Sequence, residues 1–179
     1  MKAPRIIVTD LDDCLIDLLP TWVDTLNKRH NLSVKVEDII NWDIAQFFPT
    51  LSYLDVFSPL FEEDFWSKVQ PIKGAIGTLD KLRADGHQVI ICTATHHNII
   101  SNKLNQAFLP HFTWATNKNV IVCHHKHLIS CDYLIDDNPK NLEKSKALRI
   151  LMDKPHNRDC SRDCYDFRVH SWEEIYKLI

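Results

Sequence analysis

Five short apolar runs recur along the chain, each separated from the next by a longer stretch of mixed polarity. The runs are rich in β-branched side chains and show no alternation of apolar and polar positions. They are RIIVT (5–9), HQVIICT (87–93), NVIVC (119–123), DYLI (132–135) and LRILM (148–152). Short, unalternating runs of this kind are typical of strands buried on both faces of a parallel sheet.

Helical patterns occupy most of the intervals between these runs. In residues 75–85 the apolar side chains recur on one face, and Gly86 follows as a helix stop. Further helices are predicted at 97–109, from Pro139 and from Ser171. Strands that alternate with helices predict an α/β fold built on a doubly wound, Rossmann-like parallel sheet.

A long aromatic-rich stretch follows the first run and does not fit this alternation. It has no convincing strand pattern and is interrupted at Pro49 and Pro59. A structureless loop of such length is uncommon in a compact domain. We therefore expect residues 17–71 to form a small helical cap subdomain inserted after the first strand. Residues 1–16 and 72–179 are expected to form the α/β core domain.

The charge balance limits the classes of partner. The 179 residues include 21 basic and 24 acidic side chains, for a formal net charge of −3, without a block of lysine or arginine. Duplex nucleic acid is therefore not expected as a partner, because binding across a broad basic face needs many phosphate contacts. No apolar run is long enough to cross a bilayer, and MKAPRIIVTD lacks the pattern of a signal peptide, so a cytoplasmic location is expected. The oligomeric state is left open, with a homodimer among the alternatives.

Acidic, hydroxyl and lysine side chains follow the apolar runs, at the sheet edge where ligands bind in folds of this class. Asp10 and Asp12 are two residues apart, so on an extended chain they face one side while Asp13 faces away. The other strand ends bring Thr93, Lys126, Asp136 and Asp137. Four carboxylates cannot all stay ionised together without a cation, because like charges raise one another's pKa. Carboxylate oxygens with phosphate and water make a site suited to Mg²⁺.

This pattern resembles the haloacid dehalogenase (HAD) superfamily of phosphotransferases. The resemblance rests on DLDD after the first strand, Thr93 after the second, a lone Lys126 and then LIDD, and it spans nearly the whole chain. The chain resembles the 5′(3′)-deoxyribonucleotidase family still more closely. That likeness is carried by PIKGA (71–75), VIICTAT (89–95), DYLIDDNPKN (132–141) and the tail MDKPHNRDC…FRVHSWEEI. The tail lies outside the catalytic motifs and so supports the resemblance independently.

The resemblance implies a catalytic role for two acids and a phosphate-binding role for three further residues. Asp10 would attack phosphorus and form an aspartyl-phosphate. Asp12 would protonate the leaving ester oxygen and then activate the water that cleaves the intermediate. Thr93, with Ala94 beside it, and Lys126 would bind the phosphoryl oxygens. In this family the helical insertion after the first strand is the cap that closes over the substrate.

The resemblance also implies a Mg²⁺ site. Asp10 and the backbone carbonyl of Asp12 would bind the ion, and Asp136 and Asp137 would complete its shell. Which of these two binds directly is left open, with Asp137 favoured as the direct ligand and Asp136 as its partner or support. The family often has Gly and then Thr or Val after the D-x-D motif, where this chain has Asp13 and Cys14. Relatives tolerate an acid at the first of these positions, so the departure leaves the implied catalysis intact.

Most aromatic side chains of the cap are expected to pack its interior. One or two of them are candidates for stacking on a nucleobase, a contact worth about 1–3 kcal/mol. The candidates are Trp42, Trp66 and Phe47. Ala94 and Thr95 replace the more polar residues that follow the threonine in some deoxyribonucleotidases, which leaves base and sugar preference open.

Histidine and cysteine clusters offer a second type of metal site. His96, His97, His124 and His125 lie near the predicted site. Surface or substrate-adjacent roles are favoured over zinc, because Mg²⁺ chemistry accounts for the acids without these side chains. Cys160 and Cys164 lack C-x-x-C spacing and a second pair, so a structural metal or a redox pair there is disfavoured and free thiols are expected.

These residues predict a Mg²⁺-dependent phosphatase for a small phosphorylated metabolite, with nucleoside monophosphates favoured by the resemblance. A phosphatase for another small phosphoester, such as a sugar phosphate, is the enzymatic alternative, because one fold serves many substrates. Dehalogenase chemistry is disfavoured, since it needs no Mg²⁺ and leaves Asp12 without a task. A non-catalytic binding protein is disfavoured because every element of the constellation is intact.

Overall fold

Six parallel strands form a single sheet at the centre of the molecule, in the order β3-β2-β1-β4-β5-β6. The computed structural model describes residues 3–116 and 118–179; residues 1, 2 and 117 of the predicted core domain lie outside this range. The strands are β1 (Ile6–Thr9), β2 (Gln88–Thr93), β3 (Val120–Val122), β4 (Tyr133–Asp136), β5 (Leu148–Met152) and β6 (Phe167–Val169). The predicted α/β class is confirmed, and each of the five predicted strands matches an observed strand to within one residue at either end.

Both faces of the sheet are buried, which explains why its strands show no alternation of polarity. One face carries Ile7, Ile91, Ile135 and Ile150 and joins the larger hydrophobic cluster. The opposite face carries Val8, Cys92, Leu134 and Leu151 and forms a smaller cluster with Leu142. Neighbouring strand residues thus serve opposite layers, and each layer is built mainly from apolar side chains.

Helices cover these faces, and most of their predicted ends are confirmed. The helices are α1 (Leu18–His30), α2 (Tyr53–Phe57), α3 (Glu63–Trp66), α4 (Ala75–Ala84), α5 (Ile100–Asn102), α6 (Pro139–Leu142) and α7 (Trp172–Leu178). Gly86 follows α4 with φ +92°, a left-handed conformation that glycine adopts without strain. Ser171 begins α7, where its Oγ accepts a hydrogen bond from the backbone N–H of Glu174 at 3.3 Å.

Two features differ from the sequence prediction. The helix predicted at 97–109 starts later, at Ile100, because residues 96–99 close a turn first, and it continues over Lys103–Phe108 as a π-helix. Strand β6 was not predicted. It has only three residues, and Arg168 at its centre interrupts the apolar pattern. Its pairing with β5 therefore depends on tertiary contact rather than on a local signal.

The segment between β1 and α4 contains short helices and leaves and re-enters the core at one place. The N–H of Asp17 donates to the carbonyl of Gln70, and the N–H of Ile72 donates to that of Leu15, both at 2.8 Å. Between these ends lie α1, α2, α3 and short 3-10 turns at Val36–Asp38, Ile44–Phe47 and Ser58–Phe61. Inside the segment, the Trp22 indole N–H donates to the carbonyl of Val56 at 2.7 Å. No helix in the described part of the chain is long and apolar enough to cross a membrane.

Candidate active site

Strands β1 and β4 end side by side and place Asp10 next to Asp136. Thr9 is paired with Ile135, whose carbonyl accepts a hydrogen bond from the N–H of Asp10 at 2.8 Å. Lys126 opens the 3-10 turn after β3, and its buried Nζ lies 2.7 Å from Asp10 Oδ1 and 2.8 Å from Asp136 Oδ2. Burial opposes the charged form of this lysine, but the two carboxylates outweigh it and raise its pKa above the ordinary value. The structure thus joins three residues that come from three strand ends.

Asp12 is held by a second lysine, which was not among the predicted site residues. Lys103 lies in the π-helix, is only 2% exposed, and donates to Asp12 Oδ2 at 2.6 Å and to Thr93 Oγ1 at 3.3 Å. Burial raises the pKa of Asp12, and the attraction of Lys103 opposes that rise. Asp12 Oδ1 is buried and has no hydrogen-bond partner among the described residues. The sequence did contain a signal for a buried lysine. Lys103 lies between Ile99 and Ala107 on the apolar face of the predicted helix.

The neighbouring acids Asp136 and Asp137 are held differently. Both oxygens of Asp136 are engaged, because the Asn138 N–H, the Asn141 amide and Lys126 all donate to them at 2.8–3.1 Å. Asp137 Oδ2 lies 2.9 Å from Nε2 of His156, whereas Oδ1 is buried and without a partner in the described structure. Burial, reinforced by Asp10 and Asp136, raises the pKa of Asp137 well above its ordinary value. Asp137 therefore has the carboxylate oxygen that is free to take a ligand.

The prediction that Asp13 faces away from the site is wrong. Its carboxylate is buried at the same cavity, where Oδ1 accepts a hydrogen bond from the N–H of Leu19 at 3.0 Å. The alternation of an extended chain does not apply, because β1 ends at Thr9 and Asp13 has φ +52°. Burial, together with the nearby Asp137 carboxylate, raises the pKa of Asp13 to about 7.

Three carboxylates lie close enough together to hold a divalent cation. Asp10, Asp136 and Asp137 each offer an oxygen, and these atoms all lie within 4.8 Å of one another. The four carboxylates of the predicted site are matched by two ammonium groups, those of Lys103 and Lys126. An unpartnered buried oxygen and an excess of negative charge both fit a hard cation with oxygen ligands.

A cavity of about 870 Å³ opens over these groups. Its charged lining, the floor, includes Asp10, Asp12, Asp13, Asp137, Lys103 and Lys126, with Ala94 beside them, and its apolar and aromatic lining forms the wall. Thr93 and Asp136 are fully buried and do not line the cavity. The apolar wall includes Leu18, Leu19, Trp22, Ile39, Trp42, Ile44, Tyr53, Phe57, Leu60 and Trp66. One cavity thus combines charged groups with an apolar, aromatic surface.

The three aromatic candidates for base contact are placed differently. Trp42 lies on the cavity wall with 56% of its surface exposed. Trp66 also reaches the wall, but it is 1% exposed, its indole N–H donates to the carbonyl of Leu60 at 2.9 Å, and Lys103 lies over its ring. Phe47 is not part of the cavity wall; it packs against the hydrophobic core. Of the three, Trp42 has the most free surface for a ligand.

The histidines and cysteines form no second metal cluster within residues 3–116 and 118–179. His96 and His124 line the cavity, whereas His97 and His125 do not. All six cysteines are free, as expected. In the tail, the Cys160 sulfur accepts a hydrogen bond from Arg168, and the Cys164 sulfur lies near a carboxylate oxygen of Glu143.

The chain has similar proteins across its whole length. It is 32% identical over 175 residues to a 5′(3′)-deoxyribonucleotidase of Bacillus subtilis, covering 98% of both chains. It is 33% identical over 171 residues to a 5′(3′)-deoxyribonucleotidase of Clostridium acetobutylicum, covering 94% of this chain and 91% of that protein.

Solved structures share the fold at low sequence identity. A HAD family hydrolase from Deinococcus radiodurans with bound phosphate and sodium has a TM-score of 0.66, 16% identity, and coverage of 97% of this chain and 94% of its own. YfnB from Bacillus subtilis, bound to magnesium, has a TM-score of 0.61 and 15% identity, covering 99% of both chains. The model of the family described as 5′ nucleotidase, deoxy (pyrimidine), cytosolic type C protein matches residues 4–179. The chain therefore has the fold of these HAD hydrolases, belongs to this nucleotidase family, and is an enzyme of the phosphoric monoester hydrolase class.

Proposed function

We propose that the protein is a Mg²⁺-dependent phosphatase that hydrolyses nucleoside monophosphates through an aspartyl-phosphate on Asp10. The observation that carries the proposal is the two-ended cavity, with paired carboxylates and lysines at its floor and aromatic side chains on its wall. The relatives named 5′(3′)-deoxyribonucleotidase support this choice of substrate over a sugar phosphate. A sugar would leave most of the aromatic wall without contact.

Asp10 is the proposed nucleophile. Its Oδ1 is held by the Leu11 N–H at 2.7 Å and by Lys126 at 2.7 Å, which orients the carboxylate and directs Oδ2 toward the substrate. In the first step a carboxylate oxygen of Asp10 bonds to phosphorus as the bond from phosphorus to the ester oxygen breaks. Lys126 then balances the charge that moves onto the phosphoryl oxygens.

Asp12 is the proposed general acid and base. Its raised pKa favours the protonated form that the first step requires, and Oδ1 has no partner that would compete for the leaving oxygen. Asp12 gives its proton to the ester oxygen as the alcohol leaves. As a carboxylate it then takes a proton from the water that attacks the aspartyl-phosphate, which releases inorganic phosphate and restores Asp10. Lys103, at 2.6 Å, stabilises the carboxylate form between the two steps.

The phosphoryl group is proposed to contact Thr93, Ala94, Lys103 and Lys126, of which all but the fully buried Thr93 line the cavity. Asp10, Asp137 and the backbone carbonyl of Asp12 would hold Mg²⁺, and Asp136 would orient Lys126 rather than bind the ion. A bound magnesium ion supplies positive charge that offsets the charge of the transferring phosphoryl group. Asp137 is favoured over Asp136 as a direct ligand because its Oδ1 is free of other partners.

Residues 17–71 are proposed to act as the cap, with the nucleobase against their aromatic wall. Trp42 is the proposed stacking residue, because it combines exposure with a place on that wall. Trp66 is proposed to support Lys103, and Phe47 to pack the cap interior. The cytoplasmic location and the homodimer stay predictions from the sequence.

A phosphate-release assay across several classes of phosphoester tests the proposal. Deoxyribonucleoside and ribonucleoside monophosphates, phosphorylated at the 5′ or the 3′ position, are compared with sugar phosphates in Mg²⁺ and in EDTA. We expect Mg²⁺-dependent release from nucleotides, loss of turnover in Asp10→Asn, and normal turnover in Asp24→Asn, a control on the exposed face of α1. Turnover that survives Asp10→Asn would refute the covalent step, and preference for sugar phosphates over every nucleotide would refute the nucleotidase assignment.

A further inference from the structure

The C-terminal tail contributes a histidine to the cavity. His156 lies in the 3-10 turn Pro155–Asn157, which follows β5, and its side chain is 5% exposed. Its Nε2 is 2.9 Å from Asp137 Oδ2, and its ring packs edge-on against the indole of Trp42, with 5.0 Å between ring centres. One imidazole therefore touches both an acid of the floor and the aromatic wall.

The turn that carries His156 is itself fixed to Asp137. The side-chain amide of Asn157 donates to the backbone carbonyl of Asp137 at 2.7 Å and to that of Met152 at 2.8 Å. Arg168 of β6 donates to Asn157 Oδ1 at 2.9 Å and holds Asp153 at 2.6 Å. The position of the imidazole relative to the carboxylate is thus set by a network of buried and part-buried polar contacts, and not by the ring alone.

We infer that His156 is a positioning residue, which orients Asp137 for metal binding and joins that carboxylate to Trp42 in the proposed cap. The inference rests on the proposed function, in which Asp137 is a metal ligand. By donating to Oδ2, His156 fixes the carboxylate plane and leaves the buried Oδ1 without a partner among the described residues, free for a ligand. Trp42 in turn restricts rotation of the imidazole. The orientation of the Asp137 carboxylate is therefore coupled to the position of Trp42 on the cavity wall.

Two amide variants that differ by one methylene test the orienting contact. His156→Gln keeps an N–H donor at a reach similar to that of Nε2, whereas His156→Asn carries the same amide too far from Asp137 to donate. Binding of Mg²⁺ alone is measured by calorimetry at one fixed pH near neutrality, without substrate. We expect the dissociation constant to rise by about tenfold or more in His156→Asn, as for other residues that orient metal ligands, and by less than about threefold in His156→Gln.

The contact with Trp42 is tested by a double-mutant cycle with the same readout. Trp42 contacts His156 and not Asp137, yet we expect Trp42→Ala to weaken Mg²⁺ binding by about twofold to tenfold. This factor corresponds to the free energy of an edge-on aromatic contact. In the His156→Asn background the same change should have no further effect, because the link is already broken. Additive effects would refute the coupling.

Asp137→Asn separates failure of this inference from failure of the proposed function. If the wild type binds Mg²⁺, Asp137→Asn abolishes binding and His156→Asn binds as the wild type does, the inference is wrong and the metal site stands. If Mg²⁺ binding is absent, or survives in Asp137→Asn, both the metal site and the inference are wrong. Weak binding in His156→Asn with recovery in His156→Gln supports the inference, and equal weakening in both amide variants contradicts it.

Discussion

Asp13→Asn should stabilise the metal-free protein, and more strongly at high pH than at low pH. The carboxylate of Asp13 is 7% exposed and lies near that of Asp137, while its Oδ1 accepts a hydrogen bond from Leu19. An asparagine keeps that acceptor and tolerates the positive φ of 52°, so the substitution removes the charge and little else.

The size of the effect follows from the pKa of Asp13, which rises from an ordinary 3.8 to about 7 on folding, through burial and then through repulsion by Asp137. Below the lower pKa the carboxyl is protonated in both states and contributes nothing. Between the two pKa values the folded protein keeps a proton that the unfolded chain has lost, so stability falls as pH rises. Each pKa unit corresponds to about 1.4 kcal/mol, which gives about 4 kcal/mol of destabilisation once pH exceeds the higher value.

Urea unfolding of the wild type and Asp13→Asn in EDTA measures this difference. The gain in unfolding free energy should be about 3 kcal/mol larger at about pH 8 than at about pH 5. Asp80→Asn, an exposed carboxylate of α4, serves as the control and should show no such difference. Saturating Mg²⁺ should reduce the effect, because a cation beside Asp137 offsets the repulsion. An equal gain at both pH values would refute the assignment of the effect to a buried charge.

Three further substitutions have defined outcomes. Lys103→Met should lower kcat by about a hundredfold or more, since Asp12 loses the cation that stabilises its carboxylate form. Steady-state kinetics measure this change, and a kcat within about threefold of the wild-type value would contradict the role given to Lys103. Trp172→Phe removes the donor to the Cys14 carbonyl at 2.8 Å and leaves a cavity beside a fully buried ring, so it should lower the free energy of unfolding in urea by about 3 kcal/mol or more. Tyr176→Phe, which loses an exposed hydroxyl, is the control and should change that free energy negligibly. Gly86→Ala should destabilise the protein by about 1 kcal/mol, because residue 86 has a φ of +92°. Gly77→Ala, in open space within α4, should stabilise the protein by a similar amount. Melting temperatures that shift in the same direction in both variants would contradict the backbone explanation.

The fold could be predicted from the sequence because its strongest signals are local. Buried parallel strands need apolar residues on both faces, so five of the six strands appear as short, mainly apolar runs. In a parallel sheet the carboxyl ends of such strands meet at one edge, which is why Asp10, Lys126 and Asp136 could be placed together before their distances were known. Strand β6 escaped prediction because Arg168 faces a tail network that only the folded chain assembles.

The missed parts of the site depend on contacts between distant segments. Lys103 and Asp12 are 91 positions apart, and His156 and Asp137 are 19 apart across a strand crossover, so no spacing rule pairs them. A buried lysine needs a partner, because desolvation of an unpaired ammonium is unfavourable. Lys103 on the apolar face of a predicted helix was therefore a detectable anomaly, although its partner was not identifiable.

The direction of the Asp13 side chain was predicted wrongly because a local rule was applied outside the strand in which it holds. Alternation of side chains holds only while the chain stays extended, and β1 stops at Thr9. The turn that follows brings Asp13 back beneath α1, where its oxygen meets the Leu19 N–H near the start of that helix. Asp13 thus connects the turn after β1 to α1, the first helix of the proposed cap. Its buried charge lies close to Asp137 and adds to the negative charge that a cation would offset. Asp13 is therefore one reason why we expect the metal-free protein to be less stable above neutral pH.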